Sequence, residues 1–68
     1  MTDKQAFDIF DKYYDDVARE KLHYMLRTIG VDRTVDTMVK AYQNEGKNPP
    51  NEYIKVMRQA FTYAAEHM

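Results

Sequence analysis

Between Thr2 and Gly30 the apolar residues fall at Phe7, Phe10, Tyr14 and Val17, then at Leu22, Met25 and Ile29. Steps of three to five residues average about one helical turn, so these positions draw a single stripe on an amphipathic helix. Strand alternation is spoiled by Asp8, Asp11, Asp15 and Asp16. Thr2-Asp3-Lys4-Gln5 has capping-box form, with Thr2 accepting from a backbone N–H one turn on and Gln5 reaching back. Gly30 suits the position just past a helix C-cap and closes the segment. The step from Val17 to Leu22 is long, and Asp15-Asp16 offers an N-cap inside it. The segment is therefore one rod or two helices, over about 3–15 and 17–29. The break is preferred, because a continuous rod would outrun the helices that must pack on it.

A further helix starts at Asp32 as N-cap, covers about 33–45 and is stopped by Gly46. Val35, Met38, Val39 and Tyr42 lie at i, i+3, i+4 and i+7 on one face, while Asp36 and Lys40 form an i, i+4 pair on the other side. Pro49-Pro50 stiffens the connection that follows. Asn51 caps the last helix, over about 51–67, with Glu52 well placed in its first turn. Its stripe is Ile54, Met57, Phe61, Ala64 and Ala65. The pattern predicts one all-α domain over residues 1–68, a compact bundle of three or four helices. The expected core joins the stripes: Phe7, Phe10, Tyr14, Val17, Leu22, Met25, Ile29, Val35, Met38, Val39, Tyr42, Ile54, Met57, Phe61 and Ala64.

A chain of 68 residues buries only about 60% of its unfolded surface. It has no Cys, so neither disulfides nor thiolate zinc can staple it. Very good helix packing or self-association must carry its stability. The missing Cys fits a reducing compartment. Met1-Thr2-Asp3-Lys4-Gln5 lacks the basic and apolar regions of a signal peptide, and no apolar run approaches the roughly 20 residues that span a bilayer. The expectation is a cytoplasmic protein without a membrane partner.

Net charge is −1, which gives no global electrostatic case for nucleic acid. The charge is uneven, however. Asp3, Asp8, Asp11, Asp15, Asp16 and Glu20 outweigh Lys4, Lys12 and Arg19 in the first twenty residues. In the next twenty, Lys21, Arg27, Arg33 and Lys40 outweigh Asp32 and Asp36.

Catalytic chemistry finds few residues to use. There is no Ser, and none of the five threonines sits in a glycine elbow. No Gly-rich phosphate loop is present. Glu20-Lys21-Leu22-His23 puts a carboxylate and an imidazole on one helical face, the spacing used by di-iron bundles. Those need a second such motif and further carboxylates, whereas the other histidine, His67, has no partner at that spacing. A solvated polar face is the simpler reading. No catalytic residue, metal site or cofactor is expected.

Leu26-Arg27-Thr28-Ile29-Gly30-Val31-Asp32-Arg33-Thr34-Val35-Asp36-Thr37-Met38-Val39 resembles the helix-turn-helix of bacterial and phage repressors, where Gly-Val and a small N-cap link a support helix to a recognition helix. The resemblance covers about 20 residues. It implies DNA contacts by Arg27, Arg33, Thr34, Thr37 and Lys40, and so a small transcriptional regulator as the alternative function. The pattern departs where repressors place an aliphatic residue six positions after the glycine. Here that position is Asp36, and the aliphatic Val35 comes one residue early. One residue turns a helix by about 100°, so the inward and outward sets shift.

Six tyrosines and three phenylalanines are many for this length. Only Tyr14 and Tyr42 fall on the stripes, which leaves Tyr13, Tyr24, Tyr53 and Tyr63 at least partly exposed. Tyrosine is enriched in interfaces because a rigid ring buries area at low entropic cost while its hydroxyl keeps a partner. Asp8, Asp11 and Asp15 share one side of the first helix and could meet a basic partner. The expected function is a non-catalytic protein-interaction or regulatory protein that docks on another protein, of unknown identity, and inhibits or redirects it. Its expected interface is Asp8, Asp11, Asp15, Tyr13, Tyr24 and Tyr53. Modulators of this size are common among phage and mobile-element products, an association by size alone.

Overall fold

The helices are four, α1 (Asp3–Asp11), α2 (Asp16–Thr28), α3 (Gly30–Asn44) and α4 (Asn51–Glu66), in a computed structural model that describes all residues from 1 to 68. The chain is all-α, as the hydrophobic pattern predicts. Thr2 caps α1 through the expected reciprocal bonds. Its Oγ1 accepts from the Gln5 N–H at 3.1 Å, and its own N–H donates to Gln5 Oε1 at 2.8 Å.

The break before α2 is real. Asp15 has an extended backbone and its Oδ1 accepts from the Ala18 N–H at 2.8 Å, so α2 starts afresh at Asp16. This resets the helical phase and corrects the expected core at Val17, which is 63% exposed. Leu22 and Leu26 face inward, and Val17 lies about 140° around the helix from Leu22 at 100° per residue. Ile29, also expected inside, is the C-cap of α2 and exposed.

Two caps differ from expectation. Gly30 takes φ +84° and turns the chain into α3 at once. Asp32 therefore sits in the first turn of α3 rather than capping it, and pairs with Arg58 on α4. At α4 the cap residue is Pro50, with an extended backbone, and Asn51 is already helical without capping through its side chain. The fixed φ of proline presets that entry, and the Ile54 N–H closes the first turn on the Pro50 carbonyl at 3.1 Å.

The core is a single cluster of Ala6, Phe10, Leu22, Leu26, Val35, Met57, Ala60, Phe61 and Ala64. Helix α4 packs on all three others, and its seam with α1 is the most extensive. Ala6 and Ala60 are fully buried, and their small side chains suit a close helix approach. Thr34 is the one buried polar residue. Its hydroxyl donates back to the Gly30 carbonyl at 2.6 Å, which satisfies the polar group and leaves the methyl to pack. Of the remaining expected core residues, Phe7, Tyr14, Met38, Val39, Tyr42 and Ile54 are partly buried against the cluster, while Met25 is half-buried outside it.

Candidate functional site: a tyrosine-lined groove

Helices α1 and α3 both lean on α4 and make little or no contact with each other. Between them, over the first turns of α4, lies an apolar groove of about 590 Å³. Ile9, Phe10, Tyr13 and Tyr14 line it from α1 and the turn after it, Tyr42 from α3, and Glu52, Tyr53 and Val56 from α4, with Met1 at one end. On α4, Tyr53 and Val56 are three apart and share a side, and on the other wall the turn after α1 sets Tyr13 beside Ile9.

The groove floor is aromatic. The Phe10 ring lies 5.5 Å from Tyr53 at 55° and 6.3 Å from Phe61 at 70°. Tyr53 meets Tyr42 edge to face at 6.0 Å and 80°, and their hydroxyls are 3.1 Å apart. Removal from water, and then the Tyr42 hydroxyl, push the Tyr53 phenol above its ordinary ionisation range. Burial does the same to Tyr14. Tyr13 projects from the turn at 82% exposure, with Met1, Ile9 and Tyr53 exposed around it.

Arg19 fixes the turn that carries Tyr13. Its Nε donates to Asp11 Oδ1 at 2.9 Å, its Nη1 to Asp16 Oδ1 at 3.2 Å, and its Nη2 to the Tyr14 carbonyl at 3.1 Å. The same Nη2 also donates to the Asp11 carbonyl at 3.4 Å, so the guanidinium fork serves both the last carbonyl of α1 and one in the turn after it. At the other end of the groove Gln59 Nε2 donates to the Met1 carbonyl at 2.9 Å.

Of the six residues expected at an interface, Tyr13 and Tyr53 line the groove together. Tyr24 does not, and stands 62% exposed on α2. The three aspartates have partners within the chain. Asp8 meets Lys4 at 3.1 Å, Asp11 meets Arg19, and Asp15 caps α2. They hold local structure and leave no open row of carboxylates. Sequence reasoning missed Ile9 and Val56, which lie off the main stripes. Ile9 is exposed and Val56 is partly buried against the core, and the α1–α4 packing makes them neighbours. Tyr63, expected to be at least partly exposed, is half-buried, with its ring 5.0 Å from Phe7 and 3.9 Å from His67.

For the DNA-contact set, Arg27, Arg33, Thr37 and Lys40 are exposed. Thr34 is fully buried and cannot reach a groove. The slip seen in the sequence, Val35 inward beside Thr34, is the cause. Thr37 turns its hydroxyl back to the Arg33 carbonyl at 2.8 Å. Glu20 and His23 are joined by no third ligand, since no group of three or more metal-binding side chains gathers in the fold. No helix is long and apolar enough to cross a membrane. No protein-family model, curated protein or solved structure matches this chain.

Proposed function

We propose that this chain is a non-catalytic interaction module that docks on another protein through the groove between α1, α3 and α4. The observation that carries the reading is the clustering of exposed Met1, Ile9, Tyr13 and Tyr53 around one aromatic hollow. Scattered apolar residues on a surface need no explanation, whereas a contiguous patch marks a binding face. Partly packed tyrosines make good anchors there, because few rotatable bonds are frozen when a partner covers them. Arg19 and the Asp15 cap hold the Tyr13 turn in place, so little further ordering is needed on binding. The second hollow, between α1, α2 and α4, is only about 10 Å³, which favours surface recognition over chemistry in an enclosed site.

The experiment is partner capture with paired variants. Ile9→Glu and Tyr13→Asp charge the groove, while Val17→Asp and Tyr24→Asp charge the exposed face of α2. Circular dichroism checks that all four fold. A partner held by the wild type and by both α2 variants, and lost by both groove variants, is the expected result. Capture indifferent to the groove variants, or equally impaired by the α2 variants, overturns the reading. Sedimentation of the same proteins identifies a second copy as the partner if a wild-type dimer dissociates on Tyr13→Asp.

A further inference from the structure

We infer that the groove selects a partner segment presenting an arginine side chain flanked by apolar residues. This rests on the groove being a docking face, and it names what the face recognises.

The lining is chemically one-sided. Phe10, Tyr13, Tyr14, Tyr42 and Tyr53 supply five aromatic rings, Glu52 supplies the one charged side chain, and no lysine, arginine or histidine lines the hollow. Aromatic faces carry negative potential and attract cations placed over them. The fold already shows this attraction at Tyr42, where Lys47 Nζ stands 6.0 Å over the ring while Glu45 holds it at 3.4 Å. A cation entering the groove beside Tyr53 and Phe10 thus meets aromatic faces and the Glu52 carboxylate, while the Lys47 ammonium over Tyr42 is paired with Glu45.

The hydroxyls narrow the choice of cation. Tyr42 and Tyr53 share one hydrogen bond at 3.1 Å, so the pair keeps oxygen lone pairs for an incoming N–H donor. Rings tilted at 55° and 80° to one another offer both a flat face and an edge of oxygens. A planar guanidinium stacks on the first while its N–H groups reach the second, and a compact, strongly hydrated ammonium does less of either. The exposed Ile9 and Met1 beside the rings then favour apolar neighbours on either side of the arginine.

The test compares two blocked tripeptides, acetyl-leucyl-arginyl-leucinamide and the same peptide with neutral, nearly isosteric citrulline in place of arginine. The readout is the shift of tyrosine ring resonances on titration. The expected result is that the arginine peptide moves the Tyr13 and Tyr53 signals and binds about five-fold tighter than the citrulline peptide. Glu52→Gln, at an exposed position, should bring that ratio to about two-fold or less. Equal binding of the two peptides overturns the inference, as does an absence of shifts from both at millimolar peptide, or a ratio that Glu52→Gln leaves unchanged. Failure here is distinguishable from failure of the docking reading: a captured partner still lost on Tyr13→Asp keeps that reading while the arginine preference falls.

Discussion

Tyr42 and Tyr53 meet hydroxyl to hydroxyl at 3.1 Å, with their rings crossed at 80°. They stand eleven positions apart in the chain, on either side of the Pro49-Pro50 connection. Their contact ties the end of α3 to the start of α4, and the Tyr53 ring in turn packs on Phe10 of α1. Three helices are thereby joined at the floor of the groove by aromatic side chains that also form its surface. Structure and recognition depend here on the same residues.

Alkaline pH should loosen this floor. An unfolded tyrosine ionises near pH 10, and Tyr53 in the fold ionises higher, through loss of water contact and then the Tyr42 hydroxyl. Above about pH 10 the unfolded chain releases its proton first, so it binds fewer protons than the folded one and stability falls as pH rises. The contribution is fully present below that pH. Urea melts should hold a constant midpoint up to about pH 9 and lose it beyond. Tyr42→Phe should cost about 0.5–1 kcal/mol at neutral pH and shrink the alkaline loss. A midpoint that climbs above pH 10 would sink this account.

Arg19 is the second structural bond to test. Arg19→Ala removes contacts to Asp11, Asp16 and the Tyr14 carbonyl and should cost about 1–2 kcal/mol, discounted for partial exposure. Arg19→Lys keeps the charge without the fork and should recover less than half of that. Lys4→Ala, which breaks only the exposed pair with Asp8, should stay within about 0.5 kcal/mol. Equal effects of Arg19→Ala and Lys4→Ala in thermal melts would show that the clamp contributes nothing.

Gly30 isolates a backbone effect. At φ +84° a Cβ would meet nothing within 4 Å, so Gly30→Ala adds no clash and costs only the left-handed conformation, about 1–2 kcal/mol. Gly30→Asn should cost less, since asparagine tolerates this region better. The order alanine, asparagine, glycine in rising melting temperature is the expected outcome.

Much of this fold was legible in the sequence. Capping chemistry announced the start of α1 and the break at Asp15, because a side-chain oxygen bonding a nearby backbone N–H is a local event. Helix α1 ends at Asp11, ahead of the expected residue 15, where no nearby side chain caps it. Phe10, Leu22, Val35, Met57 and Phe61 were visible as core because each lies on a helical stripe. Val17 was misjudged because one stripe was drawn across a break that resets the helical phase, and Leu26 was missed for the same reason. Thr34 was hidden because its type says polar, while its hydroxyl is satisfied within its own helix. Of the candidate site, Tyr13 and Tyr53 stood out as surplus aromatics. Ile9, Val56 and the pairing of Asp11 with Arg19 depend on contacts between helices or across the turn, which periodicity does not carry.

Exposed Val17 and buried Thr34 allow a direct comparison. Val17→Glu should change stability by less than about 0.5 kcal/mol, as for other surface positions. Thr34→Ser, which deletes a buried methyl, should cost about 1 kcal/mol. Thr34→Val should cost less, because the Gly30 carbonyl can still accept the α3 backbone bond. Val17→Glu proving the most damaging of the three in urea melts would restore the continuous-stripe core.

The docking face itself is best tested by amide hydrogen exchange on the chain alone and in complex with its captured partner. Slowed exchange over residues 9–14 and 52–56, with α2 unchanged, is the predicted footprint. Slowing centred on Arg27 to Lys40, or spread along α2 from Val17 to Tyr24, would contradict it.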